Sequence, residues 1–128
     1  MVLAVYGTLM RAFDRREALG VAGALTYRSR CRFAGRLYDL GRFPGAVPGR
    51  DTVRGELFRI EDPDVLRCLD RYEGYDPDRE GASLFVRRTV SLEAPEDTAW
   101  VYWYNGDVED APRVPAGDWA AYADPDRS

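Results

Sequence analysis

The chain has 128 residues, of which 45% are apolar and 31% charged, and carries a formal net charge of −4. That length suits one domain, 1–128, with a real hydrophobic core. The acidic balance argues against nonspecific nucleic-acid binding, and no apolar run approaches the ~18 residues of a membrane span. There is no histidine and every basic side chain is arginine. This removes His general bases, Ser-His and Cys-His pairs, lysine Schiff bases and His-ligated metals.

The run Val2–Val5 reads as a strand that stops at Tyr6-Gly7-Thr8-Leu9. A glycine at such a tip permits either a positive φ or a close approach to the backbone. The starting segment lacks a basic region and a long apolar stretch, so no secretory leader is expected. "FDRREALG" predicts a short helix with Asp14 as N-cap, Glu17 three residues on and Gly20 as stop. In "TYRSRCRFAGRLYDL", Tyr27, Ser29, Cys31, Phe33, Gly35 and Leu37 share one face while Arg28, Arg30, Arg32 and Arg36 share the other. Such alternation predicts a long strand, bent at Ala34-Gly35. The arginine row lacks interleaved aromatics, so it reads as a solvated strand face.

"GRFPGAVPGR" predicts a loop carrying Phe43 and Val47, and "TVRGELFRI" another strand. "DPDVLRCLDRYEG" carries the strongest helix signal. Asp62 caps it, Pro63 fills the first turn, Val65, Leu66, Leu69 and Tyr72 form the apolar stripe, and Gly74 stops it. "SLFVRRTVSL" and "TAWVYWYNG" predict a hairpin joined by "EAPED". A short helix follows from Asp118, and a tail from about residue 123 is expected to be mobile. Five or six strands with two or three helices at this spacing predict an α+β fold, a small, mixed, partly closed β-barrel with flanking helices. Cys31 and Cys68 read as reduced thiols of a cytoplasmic protein.

Glu73 is the last residue before the Gly74 stop. A carboxylate there opposes the helix dipole, so its proton affinity rises, more so if it faces a dry cavity. In a chain without histidine such a group is the natural general base at neutral pH. Tyr102 and Tyr104 share a strand face with Thr98 and Trp100, where either hydroxyl could reach the same cavity. Phe43 is a candidate apolar lid over it.

"VYGTLM", "GRLYDLGRFPGAV", "VRGELFRI", "CLDRYEGYDP" and "LFVRRTV" occur in order over roughly residues 2 to 105, followed by "WVYWYNG". In this the chain resembles the gamma-glutamylcyclotransferase-like family, of the gamma-glutamylamine and butirosin-pathway type. The resemblance implies a small β-barrel flanked by helices and cleavage of gamma-glutamyl amides by internal cyclisation to 5-oxoproline and a free amine. It implies that Glu73 is the catalytic residue and that Tyr6, Gly7, Thr8 and Leu9 form the cavity for the glutamyl group. Phe85 stands where many relatives carry Tyr in a Tyr-x-Arg pattern, and the region after Pro112 matches poorly.

The residues agree with that chemistry. Ring closure needs no protein nucleophile, no metal and no cofactor, and one carboxylate can take and return the proton. The amides of Gly7 to Leu9 can hold the substrate carboxylate or an oxyanion. The expected partner is a small-molecule gamma-glutamyl substrate rather than nucleic acid or a membrane. The alternative is a non-catalytic ligand-binding or interaction module on the same fold.

Overall fold

In the computed structural model residues 1–123 are described; the expected mobile tail beyond them lies outside the described residues. Five strands form one sheet, β1 (Val2–Val5), β2 (Leu25–Asp39), β3 (Pro44–Ile60), β4 (Phe85–Ser91) and β5 (Thr98–Tyr104). Their spatial order is β2-β3-β1-β5-β4, with β1 and β5 parallel and the other neighbours antiparallel. Three helices accompany them, α1 (Arg15–Ala18), α2 (Val65–Glu73) and α3 (Trp119–Ala123). The α+β class holds, but the sheet does not close. Among the described residues its two edges approach through one backbone bridge, Arg32 with Ala94 of the β4–β5 turn.

β2 follows its alternation closely. Cys31, Phe33, Gly35 and Leu37 are buried, and Arg28, Arg30, Arg32 and Arg36 are exposed. The bend falls at Gly35, where an added Cβ would sit 3.1 Å from both Trp103 and Val53. Opposite it, residues 48–51 of β3 bulge out between the pairs Ala34↔Thr52 and Arg36↔Val47. The expectation of a loop over 41–50 is therefore corrected for residues 44–47, which pair with 36–39. Pro44 is tolerated because it is the first residue of β3.

α1 is a single turn, and Asp14 gives it no side-chain cap; only the Asp14 carbonyl accepts, from Ala18 N–H. α2 ends at the expected glycine stop, but it starts later than expected: Asp64 and not Asp62 is at the N-cap position, without a side-chain cap, and Pro63 lies in the turn before the helix. The Asp62 carboxylate accepts the Asp64 N–H at 3.0 Å, and Val65, Leu66 and Leu69 are buried. Val65, Leu66 and Leu69 join one core cluster with Leu3, Phe58 and Val101. β1 is buried along its whole length, as a central strand covered on both faces must be. The stretch before α3 packs back on the sheet, with Val114 N–H bonded to Leu37 O and Gly117 O accepting from Arg54 N–H. Both cysteines are free thiols, and no helix among the described residues is long and apolar enough to cross a membrane.

Candidate active site

Because β1 and β5 run parallel, the tip of β1 arrives beside the second half of β5. A cavity of about 180 Å³ opens there, between the Tyr6–Leu9 loop, the end of α2, the start of β3 and the start of β4. Glu73, Tyr6, Gly7, Thr8, Leu9, Phe43 and Tyr102 all line it, so the sequence-predicted site residues converge on one place. Tyr104 packs instead on Phe85, with ring centroids 5.5 Å apart, and does not reach the cavity wall.

Gly7 has no positive φ; it is needed because an added Cβ would lie 2.9 Å from Pro44. The Tyr6 hydroxyl donates to Tyr102 O at 2.6 Å and accepts the Ala46 N–H at 3.1 Å. Tyr6 thus offers its ring as a wall, while its hydroxyl ties β1 to β5 and β3. Burial, with a further push from the Glu73 charge, raises its pKa far above the ordinary tyrosine range. Thr8 Oγ1 and the Tyr72 hydroxyl share a hydrogen bond of 2.8 Å, joining the loop to α2. The amides of Gly7, Thr8 and Leu9 donate to no described residue.

Glu73 sits at the mouth of this arrangement because the helix stops there. Gly74 adopts φ 71°, its N–H donates to Arg71 O, and Tyr75 N–H reaches back to Asp70 O at 2.8 Å. The carboxylate of Glu73 forms no hydrogen bond or ion pair with any described residue. Burial pushes its pKa up to about 8. The physical cause is lost hydration in the cavity, the dry setting that the sequence reading set beside the helix dipole.

One turn earlier on the same helix face lies a second acid that sequence reasoning missed. Asp70 accepts from Arg87 Nε at 2.8 Å, from Arg87 Nη2 at 3.1 Å and from the Tyr102 hydroxyl at 2.7 Å. Arg87 is held in turn over the Trp100 ring at 4.5 Å. Burial and the bond to Asp70 raise the Tyr102 pKa well above its ordinary range, so its hydroxyl stays a donor. Tyr72, read only as part of the apolar stripe, and Leu84 also line the cavity. The available signal was periodicity: Asp70 and Glu73 are three apart on a helix, and Arg87 is two from Phe85 on a strand.

Comparison with known proteins agrees with the geometry. The family model "Gamma-glutamyl cyclotransferase, AIG2-like" matches residues 3–121, which extends the likeness through the stretch after Pro112. The Escherichia coli gamma-glutamylcyclotransferase family protein YtfP is 36% identical over 84 residues, 66% of either chain. A Vibrio cholerae protein described as "Putative gamma-glutamylcyclotransferase" is 31% identical over 116 residues, 90% of this chain and 91% of that protein. The solution structure of E. coli YtfP superposes with a TM-score of 0.70 at 28% identity, over 96% of this chain and 99% of that one. A mouse AIG2-like protein shares the fold, with a TM-score of 0.66 at 22% identity over 88% and 84% of the two chains. The chain belongs to the AIG2-like gamma-glutamyl cyclotransferase family.

Proposed function

We propose that this chain is a gamma-glutamylcyclotransferase that cleaves gamma-glutamyl amides by internal ring closure, with Glu73 as general base and then general acid. One observation carries the reading: Glu73, which burial pushes up to about 8, has no polar partner among the described residues and shares a small cavity with the amides of Gly7 to Leu9, which donate to no described residue. A surface acid would have no reason to be kept so poorly solvated.

The substrate's α-ammonium approaches Glu73, and its charge favours the ionised carboxylate. Glu73 takes one ammonium proton, and the freed amine attacks the γ-carbonyl carbon. The developing oxyanion and the α-carboxylate are the two anionic groups that the loop amides can serve. As the amide C–N bond breaks, Glu73 returns that proton to the departing nitrogen, and the second proton that the α-nitrogen sheds on becoming the lactam N–H goes to the released amine or, where that amine is weakly basic, to solvent. 5-Oxoproline and a free amine result, and no water is consumed. Intramolecular attack supplies an effective molarity of roughly 10⁵–10⁸ M, so positioning does much of the work. The cavity, about 180 Å³, is smaller than the roughly 300–1,000 Å³ of ordinary ligand pockets. It suits a folded glutamyl group, with the amine portion at the rim.

The test is incubation with gamma-glutamyl amides in ¹⁸O-labelled water. Unlabelled 5-oxoproline, and no cleavage once the α-amine is acylated, is the expected result. Labelled open-chain glutamate would make the protein a hydrolase, and saturable binding without any product would make it a binding module.

A further inference from the structure

Three large apolar side chains are exposed among the described residues: Met1, Leu84 and Tyr122. Met1 opens the chain and Tyr122 sits on α3, but Leu84 stands at the rim of the cavity, 46% exposed. It is also firmly held. Its N–H donates to Gly74 O at 3.0 Å, and its carbonyl accepts from Asn105 N–H at 2.9 Å. Its Cβ lies 3.1 Å from where a Gly74 side chain would begin, which places it directly beside the end of the Glu73 helix. Phe43, Pro44 and Phe85 continue the rim, the two rings 5.9 Å apart.

The electrostatics of this rim are equally one-sided. Among the described residues Glu73 is the sole acid lining the cavity, and none of the arginines lines it. Arg87, on the strand just beyond, has its guanidinium engaged by Asp70. Arg42 precedes Phe43 but is exposed and outside the lining. A leaving group with a carboxylate would find no cation there, and a polyamine no free acid, because Glu73 faces the substrate's own α-ammonium.

We infer that the amine released at this site is uncharged beyond its reacting nitrogen and apolar, an alkylamine or arylamine rather than an amino acid, peptide or polyamine. This rests on the cyclotransferase reading of the same cavity. The ring C–N bond forms, the amide C–N bond breaks, and the α-nitrogen sheds two protons: one reaches the released nitrogen through Glu73, and the other protonates an alkylamine product or, with an arylamine, passes to solvent. What the rim adds is apolar contact along the chain of that amine, worth about fourfold in kcat/KM per buried methylene.

The experiment compares gamma-glutamyl-n-butylamide and gamma-glutamyl-anilide with gamma-glutamyl-alanine and gamma-glutamyl-putrescine, following 5-oxoproline. The two apolar amides should exceed both charged ones in kcat/KM by about tenfold or more. Leu84→Arg should shift the ratio toward the alanine compound, and Leu84→Glu toward the putrescine compound. Both changes are at an exposed side chain, and thermal melts would check that each variant folds. Charged amides turned over as well as the apolar ones, or ratios unmoved in both variants, would overturn the inference while leaving the cyclotransferase reading intact. Turnover of none of the four would overturn that reading, and the inference with it.

Discussion

α2 carries two acids three residues apart, and the fold treats them in opposite ways. Asp70 is buried against a bidentate arginine and a tyrosine hydroxyl, so every oxygen has a donor. Glu73 faces a cavity with no partner among the described residues and is pushed toward its neutral form. Folding alone would favour the first arrangement and penalise the second. The satisfied acid fixes Tyr102 and Arg87, and through them the wall of the site. The unsatisfied one keeps its lone pairs for a ligand that arrives with its own positive charge. The same loop shows the contrast on a smaller scale, since the Tyr6 hydroxyl is fully engaged while the amides just after it are free.

The largest expected effect separates the two acids by activity. Glu73→Gln keeps the shape of the side chain and removes its proton chemistry, so turnover should fall by roughly 10²–10⁴, read as the rate of 5-oxoproline release. A rate close to that of the unmodified protein would move the base to another group. Asp70→Ala should instead act on stability, costing about 2–4 kcal/mol in urea unfolding by stranding Arg87 and the Tyr102 hydroxyl. An Asp70 variant as stable as the parent would mean that the pair contributes no more than a surface ion pair.

A third effect reverses the usual expectation for removing a charge. Burial pushes the Glu73 carboxyl up to about 8 in the folded chain, against about 4.5 for an ordinary exposed glutamate. Between those values the unfolded chain has released its proton while the folded one retains it. Stability from this group is therefore complete below about 4.5 and is lost as pH rises through 8. Glu73→Gln should be more stable than the parent above pH 7, by about 1–3 kcal/mol, and similar to it at pH 4. Thermal melts at the two pH values give the comparison. The smallest effect concerns Thr8→Val, which removes the bond to Tyr72 and should cost about 0.5–1.5 kcal/mol in stability. A KM that rises with kcat little changed would mark that bond as holding the loop in its binding position.

Much of this site was legible in the sequence where local rules govern it. Glycine after Glu73 ends a helix wherever it occurs at that position, so the placement of the carboxylate followed from Gly74 alone. The alternation of β2 gave its buried face because the period of a strand does not depend on its partners. Residues 44–47 were harder. Pro44 and Gly45, with Pro48 and Gly49 just beyond, signal a loop locally, and only pairing with the far end of β2 makes 44–47 a strand. Asp70 and Arg87 were harder still, because their bond depends on how α2 lies against the β4–β5 hairpin. Gly7 was recognised as special for its close contact or its φ, and Pro44, 37 positions away along the chain, decides for the contact.

The most direct measurement is the titration of Glu73 itself, by ¹³C NMR of its carboxyl carbon in the free protein and with a non-cleavable glutamyl analogue that carries the α-ammonium. The midpoint should lie near 8 in the free protein and move downward when the analogue binds, as an approaching cation favours the carboxylate. A midpoint near 4.5 in the free protein, unmoved by the analogue, would contradict the account.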